Sequence, residues 1–295
     1  MRNIFREQTH NLALNRDGYV VIDALDAGIL RQLDEFYQLN SDQDFKGWHN
    51  SLELESPEQK AKIYEYLAQI YDDHLSQHLD NYRALAATFI SKKSDEGSLV
   101  HLHQDWSFVD ETTYRSMNLW IPFCETNANN GALHVLKGSH QMKLRLRGSG
   151  TDSRLRLSYG LAAKYLTCIP MKAGSIVFYD HRLIHGSGIN RSGGRRTAAS
   201  IGVIPAESKP VHYVTTEAGL VELEVDSEFY HYCHVALSVD TGRYRYKVKR
   251  EGYKSRQVQY TESSIDDQDI VRLYESGPKT ALRQFRDRVK ARFSS

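Results

Sequence analysis

Cysteine is scarce in this chain, with three in 295 residues. Cys124, Cys168 and Cys233 are too few and too scattered for a disulfide framework or a paired-cysteine zinc site. They read as reduced thiols of a cytoplasmic protein. Long apolar runs are missing too: no stretch approaches the ~20 apolar residues that cross a bilayer. The opening "MRNIFREQTHNLALNRDGYVVIDAL" has neither the apolar centre nor the cleavage pattern of a secretory leader, so no membrane partner is expected. Prolines number only six, and no repeat, low-complexity tract or convincing linker divides the chain. One domain over residues 1–295 is the expectation. Net charge is nearly absent at +1, but residues 1–100 hold −7 and the remaining 195 hold +8. Such a gradient can mark an anionic ligand of the basic part, and is more often surface patterning.

What is present is ordinary globular usage, 40% apolar and 25% charged, in a chain long enough to enclose a core. Eighteen tyrosines are unusual, and no single cause accounts for them. Gly18 to Ile22 reads as a short strand. In the helix that follows, Asp26 is the N-cap and Leu30, Leu33, Phe36 and Tyr37 form the stripe. A second helix is signalled at "SPEQKAKIYEYLAQIYDDHLSQHL": Ser56 caps it, Pro57 stands at its first position, and Gln59 has the capping-box spacing. Its stripe is Ile63, Leu67, Ile70 and Leu75, with Tyr71 alongside. His74 and His78 could share a metal at i and i+4, but without a glutamate between them a solvated or capping role is favoured.

From about residue 84 the texture becomes β-like. "ALAATFIS", "SLVHLHQDWSFV", "SMNLWIPF", "GALHVL", "GSIVFYD" and "RTAASIGVIP" follow one another between Gly, Asn, Ser and Pro punctuation. Many short strands after two helices predict a mainly β fold, a jelly roll or barrel with an N-terminal helical layer. On this reading residues 15–83 hold the first strand and the helices, 84–205 the jelly-roll core, and 206–295 a C-terminal β/α extension.

Within "HLHQDWSFVDE", residues 101–111, alternate side chains of an extended segment share a side. His103 and Asp105 therefore aim at one point, as do His101 and His103. A nitrogen and a carboxylate so placed, with one more histidine from elsewhere, make the facial set that holds non-haem Fe(II) and leaves positions open. Alone the pattern is weak. The later segment "AGSIVFYDHRLIHGSGINRSGGRRTAASIGVIP" reads as strand, turn, His185 in a Gly-rich bend, and a further strand opened by Arg196. A buried arginine there suits a dicarboxylate, because a guanidinium grips a carboxylate with two hydrogen bonds.

Taken in order, HxD, GALxVLxGSH, HGSGxN and RR, preceded by "DGYVVIDAL", resemble the phytanoyl-CoA dioxygenase family of Fe(II)/2-oxoglutarate oxygenases, from about residue 15 to about 205. The resemblance implies a double-stranded β-helix (cupin-like) core. It makes His103, Asp105 and His185 iron ligands, and it places the distal carboxylate of 2-oxoglutarate on Arg196, helped by Ser187. Trp120 would pack against the co-substrate, Asn118 would line the pocket, and Gly131 and the 138–140 "GSH" would support tight turns. The implied reaction consumes 2-oxoglutarate and O2, releases succinate and CO2, and hydroxylates an unactivated C–H bond. No separate acid or base residue is called for, since the cofactor carries the hard step. Halogenating relatives lack the carboxylate, so Asp105 favours hydroxylation. Desaturation, epoxidation or cyclisation stay open.

Bland readings compete. His101 matches no ligand position, and His134 reads as core or rim. His181 and His185 could be a helical pair, were it not for the β-rich run before them. Arg195 and Arg196 point oppositely on a strand, so only one can face inward; spacing prefers Arg196 and leaves Arg195 solvated. Trp106, Phe108, Val109 and Tyr114 form a substrate wall or simply core. The basic stretch 141–170, with Lys143, Arg145, Arg147, Arg154, Arg156 and Lys164, reads as a lid. Arg154 and Arg156 would meet an anionic group of the substrate there, against a favoured reading of solvated surface. "TGRYRYKVKREGYKSRQVQY" at 241–260 alternates basic and aromatic residues. It fits an exposed strand better than a nucleic-acid surface, so nucleic acid is not the expected partner. The terminal "KTALRQFRDRVKARF" reads as an amphipathic helix docking on the domain or on a second subunit, which leaves a homo-oligomer open. The expected partner is a small molecule in natural-product or modified amino-acid tailoring. The rival class, a non-catalytic jelly-roll binding protein, is disfavoured because a degenerate site usually loses a ligand.

Overall fold

The computed structural model describes residues 3–275 except 24, 144, 152–154, 239–242, 248–250 and 261–262, and for Tyr159 and 234–247 it describes the backbone only. Helix α1 (Gln8–Asp17), which the sequence does not announce, ends at Gly18 in the left-handed region (φ 85°), where a glycine costs least. Strand β1 (Tyr19–Asp23) follows, and then α2 (Ala27–Asn40), whose first amides are capped by Asp26 as its spacing predicts. After β2 (Trp48–Asn50), α3 (Pro57–Ile70) starts at Ser56, whose hydroxyl accepts from the Gln59 amide at 3.1 Å. The capping box is not closed. The Gln59 side chain instead donates to the Asn40 carbonyl at 2.7 Å and ties the two helices together. The predicted long helix stops at Ile70, and one π turn (Tyr71–Leu75) and one 3-10 turn (Ser76–His78) carry the chain on. His74 and His78 lie in those turns.

The β-rich part supplies β3 (Tyr82–Lys92), β4 (Val100–His103), β5 (Met117–Pro122), β6 (Leu133–Val135), β7 (Leu155–Arg156), β8 (Thr167–Ile169), β9 (Ser175–Asp180), β10 (His185–Ser187) and β11 (Arg196–Pro205). A six-stranded sheet runs β1-β9-β5-β11-β3-β2 and a four-stranded sheet runs β4-β10-β6-β8. Every pairing within the two is antiparallel.

Both faces of the large sheet are buried, so its strands read as nearly continuous apolar runs and period-two alternation decides what faces where. Leu119, Ile121, Ile176, Phe178, Ala199 and Ile201 pack outward on Leu33, Tyr37, Ile63 and Leu67 of the helical layer. Their neighbours Trp120, Val177, Tyr179 and Ala198 turn inward to meet Leu133, Val135 and Ile169 of the small sheet. That second cluster joins the two sheets, and the architecture is a jelly roll with helices outside it.

Beyond β11, strands β12 (Val211–Thr216) and β13 (Gly219–Glu224) pair with each other. Together with the helix Ser227–His231 they build a separate aromatic cluster. The described residues of 141–170, read as a lid from the sequence, pack on the rest of the chain at several points. Ser149 exchanges backbone hydrogen bonds with Tyr213 and Thr215 at 2.8 and 3.0 Å, β7 pairs with Ile265–Asp266, and the Tyr165 ring stacks on Tyr274 at 4.4 Å.

Candidate metal centre

Strands β4 and β10 are paired with His185 directly opposite His103. The close approach depends on Gly186, since a β-carbon there would lie 2.8 Å from the Val100 carbonyl oxygen. Past His103 the chain leaves the sheet, and the Asp105 amide is caught by the His181 carbonyl at 3.0 Å, which turns the carboxylate back toward the histidines. Nε2 of His103 and Nε2 of His185 each stand 3.6 Å from Asp105 Oδ1, and the three ligand atoms lie within 4.8 Å of one another.

Both rings are oriented by their other nitrogen. Nδ1 of His103 donates to the His101 carbonyl at 2.8 Å, and Nδ1 of His185 donates to the Leu183 carbonyl at 2.9 Å. That fixes the tautomer with an Nε2 lone pair facing Asp105, the arrangement a metal-binding imidazole needs. Thus His101 contributes through its backbone while its side chain is exposed. Burial pushes His185 down to about 4, against the pull of Asp105. At His103 burial is overcome by the hydrogen bond and charge of Asp105, and its pKa is raised. Burial would raise Asp105, but His185 and His103 hold it well below the carboxylate range. Oδ2 of Asp105 is buried without a hydrogen-bond partner among the described residues. One imidazole that burial keeps neutral, a second whose proton a metal would displace, and a carboxylate with a spare oxygen fit a divalent metal.

Deeper in the roll, Arg196 is 2% exposed, and its Nε and Nη1 have no hydrogen-bond partner among the described residues. The guanidinium lies over the Trp120 ring, 5.1 Å from its centroid. Directly across the strand pair stands Lys92, also fully buried, whose Nζ donates to the Ser187 and Gly188 carbonyls at 3.1 and 2.8 Å. Burial, with Arg196 alongside, lowers Lys92 to about 6, and burial lowers Arg196 to about 10. A buried guanidinium with unmet donors, beside a lysine that burial makes easy to neutralise, fits an anion.

Residues 14–198 match the phytanoyl-CoA dioxygenase (PhyH) family. The chain belongs to that family. Among curated relatives, the probable alpha-ketoglutarate-dependent hypophosphite dioxygenase of Stutzerimonas stutzeri is 28% identical over 165 residues, 54% of this chain and 55% of that protein. The phytanoyl-CoA dioxygenase of Arabidopsis thaliana is 31% identical over 126 residues, 42% of this chain and 44% of that protein. The chain thus spans about half the length of these relatives. Among solved structures, HygX from Streptomyces hygroscopicus with nickel, 2-oxoglutarate and hygromycin B bound aligns at a TM-score of 0.47 and 14% identity, over 68% of this chain and 88% of that one.

The blocks that carry the resemblance have visible work in this member of the family. In "GSH", Gly138 takes a left-handed turn (φ 78°), the Ser139 hydroxyl accepts from the Ile184 amide at 2.8 Å, and His140 is buried beneath Gly18. That steadies the residue before His185. Arg196 faces inward, whereas Arg195 is exposed above the Tyr37 ring, 5.0 Å from its centroid. Ser187 is buried on β10 two residues from His185. Asn118 donates to the Tyr179 hydroxyl at 2.6 Å and accepts from Ser200 at 2.9 Å. His181 sits in the turn between β9 and β10, its Nδ1 paired with Ser116 Oγ at 2.8 Å. His134 is half-buried on β6.

Phe108 and Val109 are buried in the C-terminal aromatic cluster, and Trp106 and Tyr114 pack against it half-buried. The Phe108 ring also meets His181 at 4.7 Å, and Trp106 meets His212 at 4.8 Å. Arg156 is exposed on β7, and Arg154 lies outside the described residues, as does the 279–293 helix expected at the end of the chain.

Three features escaped the sequence reading. Arg147, in the basic stretch, is buried and gripped by Glu111 at 2.6 and 2.9 Å, while its Nε donates to the Asp105 carbonyl at 2.5 Å. Lys92 and Tyr179 are the other two. Alternation places Lys92 on the inner face once the β3–β11 register is known, and Tyr179 once the β5–β9 register is known. No local motif marks either.

Proposed function

We propose that the protein is an Fe(II)/2-oxoglutarate-dependent oxygenase that hydroxylates a small molecule. The observation that carries this reading is the convergence of His103, Asp105 and His185, each imidazole locked with Nε2 toward the carboxylate. In the proposal these three hold the metal on one face and leave the opposite positions open. Bound there, Fe(II) supplies the oxidative decarboxylation of 2-oxoglutarate to succinate and CO2, coupled to oxidation of a substrate C–H bond by O2. Arg196 binds the distal carboxylate of the co-substrate with its two free donors, and the Trp120 ring shields that ion pair from water. Ser187, buried on β10 two residues from His185, helps to hold that carboxylate. Lys92 stands across the strand pair from Arg196.

A carboxylate ligand at Asp105 supports hydroxylation over halogenation. Desaturation, epoxidation and cyclisation use the same residues and differ in substrate pose. An anionic substrate loses support where Arg147 is concerned, because Glu111 already meets that charge. The test is substrate-independent turnover. With Fe(II), 2-oxoglutarate and O2, wild type should form succinate slowly, and Asp105→Ala and His185→Ala should form none while keeping the far-ultraviolet dichroism of the folded chain. Full turnover by either variant would remove the ligand assignment.

A further inference from the structure

Tyr179 closes strand β9 on the inner face of the large sheet, directly opposite Asn118 on β5. Its ring centre is 4.6 Å from that of His185, and its hydroxyl is 3.3 Å from His185 Nε2, the nitrogen turned toward Asp105. The side chain is 3% exposed and belongs to an otherwise apolar cluster with Trp120, Val135 and Val177. A phenylalanine would fill the same volume without burying a hydroxyl, whose desolvation costs free energy unless it is bonded. The chain instead provides a polar line toward the metal centre. Ser200 Oγ donates to Asn118 Oδ1 at 2.9 Å, and Asn118 Nδ2 donates to the Tyr179 oxygen at 2.6 Å. Asn118 and Ser200 are themselves buried.

This line fixes the direction of the last proton. The phenol oxygen already accepts from Asn118, so its own O–H points away from Asn118 and into the metal centre. Without a metal it faces His185 Nε2 at 3.3 Å and the Asp105 carboxylate, with which it also interacts. Once the His185 lone pair and an Asp105 oxygen are given to a metal, an oxygen of a bound co-substrate can take the hydrogen in their place. We propose that Tyr179 is a positioning residue, donating its phenolic hydrogen bond to an oxygen of 2-oxoglutarate bound in the open position next to His185, with Asn118 and Ser200 holding it in that pose. This rests on the oxygenase reading above. Under it, Tyr179 orients the metal-binding end of the co-substrate while Arg196 holds the far end.

The experiment is an anaerobic titration in two stages, on wild type, Tyr179→Phe and Ser200→Ala. Co(II) binding is followed first, without co-substrate. The visible charge-transfer absorption of the Fe(II)-loaded protein is then followed as 2-oxoglutarate is added. For Tyr179→Phe the expected result is Co(II) affinity within about twofold of wild type, a 2-oxoglutarate midpoint at least about tenfold higher, and a displaced absorption band, as for the loss of a charge-assisted hydrogen bond. Ser200→Ala, which only frees Asn118, should move the midpoint the same way by less. An unchanged midpoint and band in Tyr179→Phe would overturn the proposal. So would a loss confined to the Co(II) stage, since that would put the hydroxyl on Asp105. Should Tyr179→Phe fail to fold, an unshifted midpoint in Ser200→Ala would count against it. A wild type that binds metal but develops no band with 2-oxoglutarate would overturn the oxygenase reading itself, a different result from either.

Discussion

Arg196 is enclosed with two of its donors unmet among the described residues, and the proposed function gives those donors the co-substrate carboxylate. Removing it should therefore act on one quantity. Arg196→Ala is expected to raise the KM for 2-oxoglutarate at least about tenfold, read from initial rates of succinate formation. Arg196→Lys should recover only part, because an ammonium is a point charge without the two-pronged geometry. An unchanged KM in Arg196→Ala would move the carboxylate site elsewhere. His103, Asp105, His185 and Arg196 were readable from the chain alone, because each stands in a short block with fixed neighbours. Tyr179 and Lys92 were not, since each owes its place to cross-strand register, and register is a tertiary fact. His101 shows the opposite case. Its side chain is a bystander, yet its carbonyl sets the tautomer of His103, a role no side-chain motif can carry.

At the scale of elements, the metal centre is the meeting of β4 with β10, reinforced by a clamp on the segment that follows β4. Gly186→Ala would set a β-carbon against the Val100 carbonyl. It is expected to destabilise the fold by about 1–3 kcal/mol and to weaken Mn(II) binding, measured by denaturant unfolding and by titration. Native metal affinity in that variant would contradict the account of how the two strands approach. Glu111→Gln would leave Arg147 a buried charge without its partner, at a cost of about 3–5 kcal/mol. Chemical unfolding reads this, and a change below 1 kcal/mol would show that the pair is dispensable. The helix at Ser56 and the strands at 84–91, 116–123, 174–180 and 196–205 follow from caps and periodicity. Helix α1 did not, because its apolar face is short and Asn11 anchors it by bonding Ile4 and Phe5. The "SLVHLHQDWSFV" run predicted one long strand, but only Val100–His103 pairs, since Asp105 must leave the sheet to face both histidines. The basic 141–170 stretch misled for a related reason. Charge density favoured a solvated surface, which Lys143 and Arg156 keep, whereas Arg147 is turned inward to an acid 36 residues away.

For the whole molecule, the order of the sequence blocks was enough to foresee the family and the mainly β jelly roll, which brings His103, Asp105 and His185 together. Ligands that bind only the folded chain stabilise it by mass action. Mn(II) with 2-oxoglutarate, each at about a hundred times its Kd, should add about 2.7 kcal/mol or more and raise the Tm by several degrees, with no such shift in Asp105→Ala. Among the described residues no helix is long and apolar enough to cross a membrane. The C-terminal extension was expected as β/α, but its aromatic cluster, with His212 amid Trp106, Phe229 and Tyr230, was not, because it is assembled from distant segments. The central claim is tested most directly by isotope. Fe(II)-loaded wild type, incubated with 2-oxoglutarate under 18O2, should yield succinate carrying a single labelled oxygen, and Asp105→Ala should yield none. Unlabelled succinate, no succinate at all from the iron-loaded wild type, or equal labelled product from Asp105→Ala would contradict it.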